Sequence, residues 1–174
     1  MKLITKTTLS LLLFMSLTQF ISAQTVGKGA WMIGGSAALD IEKYKDADES
    51  TTSFLLDPNV GYFFADDFAA GLELLVYDSG IEGTETSFSV APFLRYYFTN
   101  PIFIQVGAGF DLAEGGGTVF GGKVGYSWFL NNGVAIEPAL YFNSYNNDGD
   151  LNDFTSFGLS IGIQAFVNHD HGME

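Results

Sequence analysis

The chain has no cysteine, little positive charge and no long apolar run after its first two dozen residues. Each shortage excludes a class of protein. Without cysteine there is neither a disulfide scaffold nor a diacylated lipoprotein anchor. Seven lysines and arginines stand against 20 acids, for a formal net charge of −13. So acidic a chain is a poor partner for nucleic acid, and none is expected. No segment beyond the leader reaches the roughly 20 apolar residues of a membrane-spanning helix, and stretches of helical period are missing. The only histidines, His169 and His171, lie in the last six residues. No strand or loop therefore carries the positioned base that a Ser-His-acid triad requires. No catalytic residue, enzyme activity, cofactor or dedicated metal site is expected.

The leader itself has a pattern. Lys2 and Lys6 give a basic start, Leu9 to Leu17 an apolar run, and Ile21-Ser22-Ala23 a small-residue cleavage site. The run is too short for a spanning helix. Residues 1–23 read as a secretory signal peptide, with Gln24 as the new N-terminus. Residues 24–167 then form the folded domain, and 168–174 a disordered tail.

What the remainder holds is aromatic residues, at 16%, glycine, at 21 residues, and a period of two. From Phe88 to Phe98 every second residue is large and apolar: Phe88, Val90, Pro92, Leu94, Tyr96 and Phe98. Between them lie Ser89, Ala91, Phe93, Arg95 and Tyr97. Such alternation sends the two sets to opposite faces of a strand. It is sustained beyond the usual soluble strand of about 5–6 residues and suits a tilted bilayer crossing of roughly 9–11.

The same pattern recurs along the chain. Further strands are expected over Ala30 to Glu42, Ser53 to Phe64, Phe68 to Tyr77, Ile102 to Leu112, Val119 to Trp128, Val134 to Asn143 and Ser156 to Val167. Tight turns at Ala65-Asp66-Asp67, Thr99-Asn100-Pro101 and Asn131-Asn132-Gly133 alternate with longer polar loops. The last turn carries the Asn-Gly hairpin signal. Eight strands in hairpin order, with short turns at one end and long loops at the other, predict an all-β fold: an eight-stranded antiparallel up-and-down transmembrane β-barrel.

Aromatic clusters precede each short turn. Trp31, Tyr62, Phe64, Tyr96, Phe98, Tyr126 and Trp128 are expected to form one membrane-interface girdle. Phe54, Phe88, Phe110, Phe120, Phe142 and Tyr145 mark the other end. Ten residues at roughly 3.3 Å and about 40° tilt give on the order of 25 Å, the height of an apolar membrane band. Pro58, Pro92 and Pro138 lie inside strands on the outward face, where a closed barrel has no edge to hold them. Bulges are the expected means of absorbing them.

Pro58-Asn-Val-Gly-Tyr-Phe-Phe, Asp67-Phe-Ala-Ala-Gly and Pro92-Phe-Leu-Arg-Tyr-Tyr-Phe closely resemble segments of the small outer-membrane β-barrel ("porin family") proteins of Gram-negative bacteria. These are similar in architecture to the OmpA transmembrane domain and OmpX. The resemblance covers essentially all of the chain after the leader. It implies residence in the cell outer membrane, outer-membrane lipid as surroundings, and insertion by the barrel assembly machinery. One departure is that Phe166, the final aromatic, is followed by eight residues, whereas such barrels usually end on it.

The inward faces carry the ionic chemistry: Asp57, Glu73, Arg95, Asp111, Lys123 and Glu137. Asp57, Glu73 and Arg95 are expected as neighbours on one wall. Asp111 is expected opposite Lys123 across the third long loop, with Glu137 one strand on. Charges facing a narrow interior need partners. A structural salt-bridge plug is one reading, and a gate in a narrow solute path the other. Asp148-Gly-Asp150-Leu-Asn152-Asp153 begins like a calcium loop, but lacks Gly at the sixth place and Glu at the twelfth. Loose divalent cation binding by the acidic loops is the expectation there. Two functions follow: a non-enzymatic, monomeric outer-membrane protein that supports the membrane or meets surface partners through its loops, or a narrow channel for small solutes. A soluble lipocalin-type barrel would need the reverse pattern, polar outside and apolar within.

Overall fold

The structure is a computed structural model that describes residues 27–43, 50–80, 83, 85–99, 101–112, 116–146 and 154–167. The leader at 1–23, the calcium-like segment at 148–153 and the tail with His169 and His171 lie outside the described residues. Nine strand segments form a single antiparallel sheet: β1 Trp31–Lys43, β2 Ser50–Ala65, β3 Phe68–Asp78, β4 Ser87–Thr99, β5 Ile102–Asp111, β6 Thr118–Tyr126, β7 Trp128–Asn131, β8 Val134–Asn146 and β9 Phe154–Val167. β6 and β7 are one barrel strand interrupted at Ser127, and both pair with β8. Each strand pairs with its sequence neighbour, and β1 pairs with β9. The sheet thus closes on itself as an eight-stranded up-and-down barrel.

The alternation decides which way each side chain points. On β4, Pro92, Leu94, Tyr96 and Phe98 are exposed, while Ser89, Ala91, Phe93, Arg95 and Tyr97 are buried. On β9, Phe157, Leu159, Ile161 and Ile163 are 62–75% exposed, while Ser160 and Gln164 are 1–3% exposed. An apolar outside around an inside that holds buried charged and polar side chains inverts the soluble pattern and matches a wall solvated by lipid. No helix among the described residues is long and apolar enough to cross a membrane.

Three details differ from expectation. First, the walls extend past the apolar stripes at the loop end. Lys43 still pairs Ser50, and Tyr145 pairs Phe154, because ladder hydrogen bonds continue wherever two strands remain adjacent. Second, Tyr145 is not an outward rim aromatic. The parity of β8 turns it inward, 5% exposed, with its ring 5.8 Å from that of Tyr77. Third, the strand prolines sit at no bulge. Pro58 faces Gly35 of β1, and on its other side the pairing passes from Leu56–Val76 to Asn59–Glu73 without a shift. Pro92 faces Leu72, with the β5 side passing from Val90–Phe110 to Phe93–Gly107. Pro138 faces Ile161, and its other side is the Ser127 interruption. Each missing N–H falls where the ladder is open on one side. The register shifts lie instead beside the three short turns, at Phe63/Ala65, Tyr97/Thr99 and Phe129/Asn131.

Two apolar clusters fill the interior at different heights. At the turn end Met32, Phe63, Phe93, Tyr97, Phe103 and Phe166 pack together, with Phe129 against them. Their rings form a chain, Phe129–Phe166–Phe63–Tyr97–Phe103, with centroids 5.3–6.2 Å apart. At the loop end Leu55, Leu75, Val119, Tyr141 and Tyr145 pack with Tyr77. Between the clusters lies a polar layer.

Candidate functional site: the lumen ion network

Counting from the turns brings certain inward residues into line. Arg95 stands opposite Gln105 across the β4–β5 turn, and Gln105 stands opposite Lys123 across the next connection. These three make a lateral row on β4, β5 and β6. The acids that neutralise the row come from elsewhere on the wall.

Arg95 is 2% exposed. Its Nη1 donates to both Glu137 oxygens, at 2.8 and 3.1 Å. Its Nε donates to Gln105 Oε1 at 2.8 Å, and its guanidinium carbon lies 4.1 Å over the Phe103 ring. Glu137 also accepts from Ser127 Oγ at 2.6 Å and from the Tyr97 hydroxyl at 3.3 Å. Lys123 Nζ donates to Asp57 Oδ2 at 2.5 Å and lies 3.3 Å from Glu73 Oε2. Asp57 accepts in addition from the backbone N–H and hydroxyl of Ser36, at 2.5 and 2.8 Å. Gln105 joins the two halves, accepting from Arg95 and donating through Nε2 to Glu73 Oε2 at 2.7 Å.

Every charge in this layer thus has an opposite charge, and all but Lys123, which lies between two carboxylates, also have a neutral hydrogen-bond partner. Taking a charge out of water costs several kcal/mol, which only good geometry and saturation of the remaining donors and acceptors offset. Removing one member therefore strands the others, so the network holds the walls at a fixed spacing.

The pairings differ from the sequence expectation. Arg95 does not meet Glu73: its partner across the β3–β4 ladder is Ala69, whereas Glu73 faces Ala91. The two are separated along the barrel axis, and among the described residues Gln105 bridges them by hydrogen bonds. Lys123 does not face Asp111. The Asp111 backbone N–H donates to Gly117 at the loop end, and its carboxylate accepts from Ser87 Oγ. The side chain of Asp40, a further acid that the alternation would place on the inward set, lies outside the described ones. Sequence reasoning omitted Gln105, Ser127, Tyr97 and Ser36. Hairpin counting places Gln105 opposite Arg95, Ser127 opposite Glu137 and Ser36 opposite Asp57, so a polar residue at each inward position was the available signal.

The outward aromatics gather at the turn end in two contacting groups. Trp31 packs on Tyr62 at 5.1 Å, and separately Phe64, Phe68, Tyr96 and Phe98 form a row with contacts of 5.0–5.3 Å. Trp128 is exposed on the same face, and Tyr126 is half-buried.

Among the described residues the layer holds no histidine or cysteine, and no group of three or more His, Cys, Asp or Glu is placed to hold a metal ion. Its chemistry is charge compensation. The cavity within it, lined by Ser36, Asn59, Arg95, Lys123, Ser160 and Gln164 among others, measures about 10 Å³.

No family model matches the chain, and no curated protein does. Solved structures do match. Neisserial surface protein A (NspA) aligns at 16% identity with a TM-score of 0.58, covering 79% of this chain and 97% of its own. The outer membrane protein OprG from Pseudomonas aeruginosa aligns at 18% identity and TM-score 0.42, covering 82% and 99% respectively. The outer membrane protein AlkL, solved in lipid bilayers, aligns at 10% and 0.45, covering 85% and 94%. The likeness to NspA shows the fold alone: a closed eight-stranded antiparallel up-and-down β-barrel.

Proposed function

We propose that this chain is an integral outer-membrane protein whose barrel is a sealed, non-catalytic scaffold for its acidic loops. The carrying observation is the filling of the lumen. A cross-braced polar layer lies between two apolar clusters, and the cavity inside it is about 10 Å³, roughly the room for one water. An eight-stranded barrel is just wide enough for side chains to fill, and here they do. Outer-membrane residence rests on the apolar outer wall, the fold shared with NspA, and the signal-peptide pattern ending near Ala23. The aromatic belt fits one membrane interface, with the short turns on the periplasmic side. On this reading the barrel assembly machinery inserts the chain as a monomer in outer-membrane lipid. The loops then meet surface partners and loosely held divalent cations.

Planar-bilayer recording of the refolded mature protein tests the proposal. The expected result is no discrete conductance, in wild type or in Lys123→Met. Stepwise conductance of wild type that changes when Lys123 or Arg95 is replaced would establish the narrow solute path instead.

A further inference from the structure

The β1–β9 seam does not run the full height of the wall. β1 pairs with β9 from Trp31–Val167 to Ala38–Ser160, and no pair follows among the described residues. Both strands continue beyond that point. β1 pairs with β2 as far as Lys43–Ser50, and β9 pairs with β8 from Phe154 onward. The wall therefore splits at its loop end. Residues 39–43 of β1 and 154–159 of β9 each have one side without a neighbouring strand, over roughly 15–20 Å at about 3.3 Å per residue. The split opens just below the level at which Phe142 pairs with Phe157, among the loop-end aromatics. An open sheet edge is not tolerated within hydrocarbon, and below that level the seam is closed.

The backbone of β9 faces the gap at alternate residues. The Phe166 N–H donates to the Gly133 carbonyl on the β8 side, and the β8–β9 register runs unshifted from there to Phe154. Successive residues of an antiparallel strand bond to opposite neighbours, so Thr155, Phe157 and Leu159 direct N–H and C=O into the gap. The two edges differ in protection. Charge and proline are the usual guards of an edge strand. Over its open positions β1 carries Asp40, Glu42 and Lys43, whereas β9 carries neither charge nor proline. A row of unpaired donors and acceptors is complementary to another extended backbone. In sequence, the segments that join β1 to β2 and β8 to β9 add Asp46, Asp48, Glu49, Asp148, Asp150 and Asp153 against Lys45. A second copy would bring the same charges and be repelled, while a basic chain is attracted. We infer that the open edge of β9 is a docking site for an extended, lysine- or arginine-bearing segment of a surface partner, held by strand addition. The inference rests on the outer-membrane scaffold proposed above and gives its partner a place and a chemistry.

Amide hydrogen exchange of the refolded, isotope-labelled protein in detergent micelles, read by NMR with three synthetic peptides, tests this. One peptide alternates lysine with valine and threonine. The second has glutamate for each lysine. The third keeps the lysines but has proline for each valine, which removes the N–H groups that pairing needs. The lysine–valine peptide should slow exchange severalfold at Thr155, Phe157 and Leu159, and the other two should leave it unchanged. Thr155→Pro removes one edge donor and no bond to β8, and should weaken the protection at Phe157 and Leu159. If that variant does not fold, the wild-type series decides alone. No protection by the lysine–valine peptide would overturn the inference. So would equal protection by the glutamate or the proline peptide. Protection without peptide would overturn it too: rising with protein concentration, it would mean that a second copy covers the edge, and constant, that the chain itself does. Lumen conductance is a separate readout, so a failed edge and a failed scaffold are distinguishable.

Discussion

Lys123 and Asp57 stand on opposite walls, four strands apart in either direction round the barrel, and their side chains meet at 2.5 Å. This contact spans the full width of the lumen. With the Arg95–Glu137 pair it converts a hollow sheet into a braced solid, in which strands that share no backbone hydrogen bonds fix one another's spacing.

The brace predicts a large, recoverable loss on removing its cation. Lys123→Met leaves Asp57 and Glu73 without their shared counter-charge. It should destabilise the barrel by about 3–5 kcal/mol, the usual cost of breaking a buried pair. Asp57→Asn in that background should restore part of the loss. Urea unfolding in lipid vesicles gives the double-mutant cycle, and zero coupling would mean that the two side chains do not touch.

Arg95 should discriminate between two acids. Its coupling to Glu137 should fall in the range of about 0.5–3 kcal/mol seen for contacting residues. Its coupling to Glu73 should be smaller, because Gln105 intervenes. Cycles of Arg95→Met with Glu137→Gln and with Glu73→Gln compare them directly. Stronger coupling to Glu73 would reverse the assigned pairing.

The outer wall should penalise charge by depth. Leu94, 48% exposed and flanked by Ala70 and Val106, lies in the middle of β4. Phe98 lies at the strand's turn end. Leu94→Arg should cost about 2–4 kcal/mol in a bilayer, and Phe98→Arg about 0–1. Equal costs would contradict the placement of the apolar band.

Gly71 marks a close approach inside the wall. A Cβ there would come within 2.2 Å of the Val60 carbonyl oxygen and 2.6 Å of the Phe93 ring. Gly71→Val should therefore destabilise by about 1–3 kcal/mol through overpacking, whereas Ala108→Val on the outer face should be nearly neutral. Unfolding midpoints of the two variants, measured side by side, check the contrast.

Much of this architecture was legible one residue at a time. Strand direction, inside and outside, and the hairpin register are local properties. A period of two sorts the faces, and a short turn between adjacent strands sets which residues stand opposite. That is why Leu94 and Arg95 could be sent to opposite sides from the sequence, and why Gln105 could be placed beside Arg95. The prolines were less readable, because an open ladder position depends on both neighbouring strands. The ion pairs were not readable at all. Lys123 to Asp57 and Arg95 to Glu137 cross the lumen between strands that never pair. Which inward positions share a height there depends on the tilt and stagger of the closed barrel. The alternation thus determined the barrel and its two faces, while closure alone decided which charges meet within it.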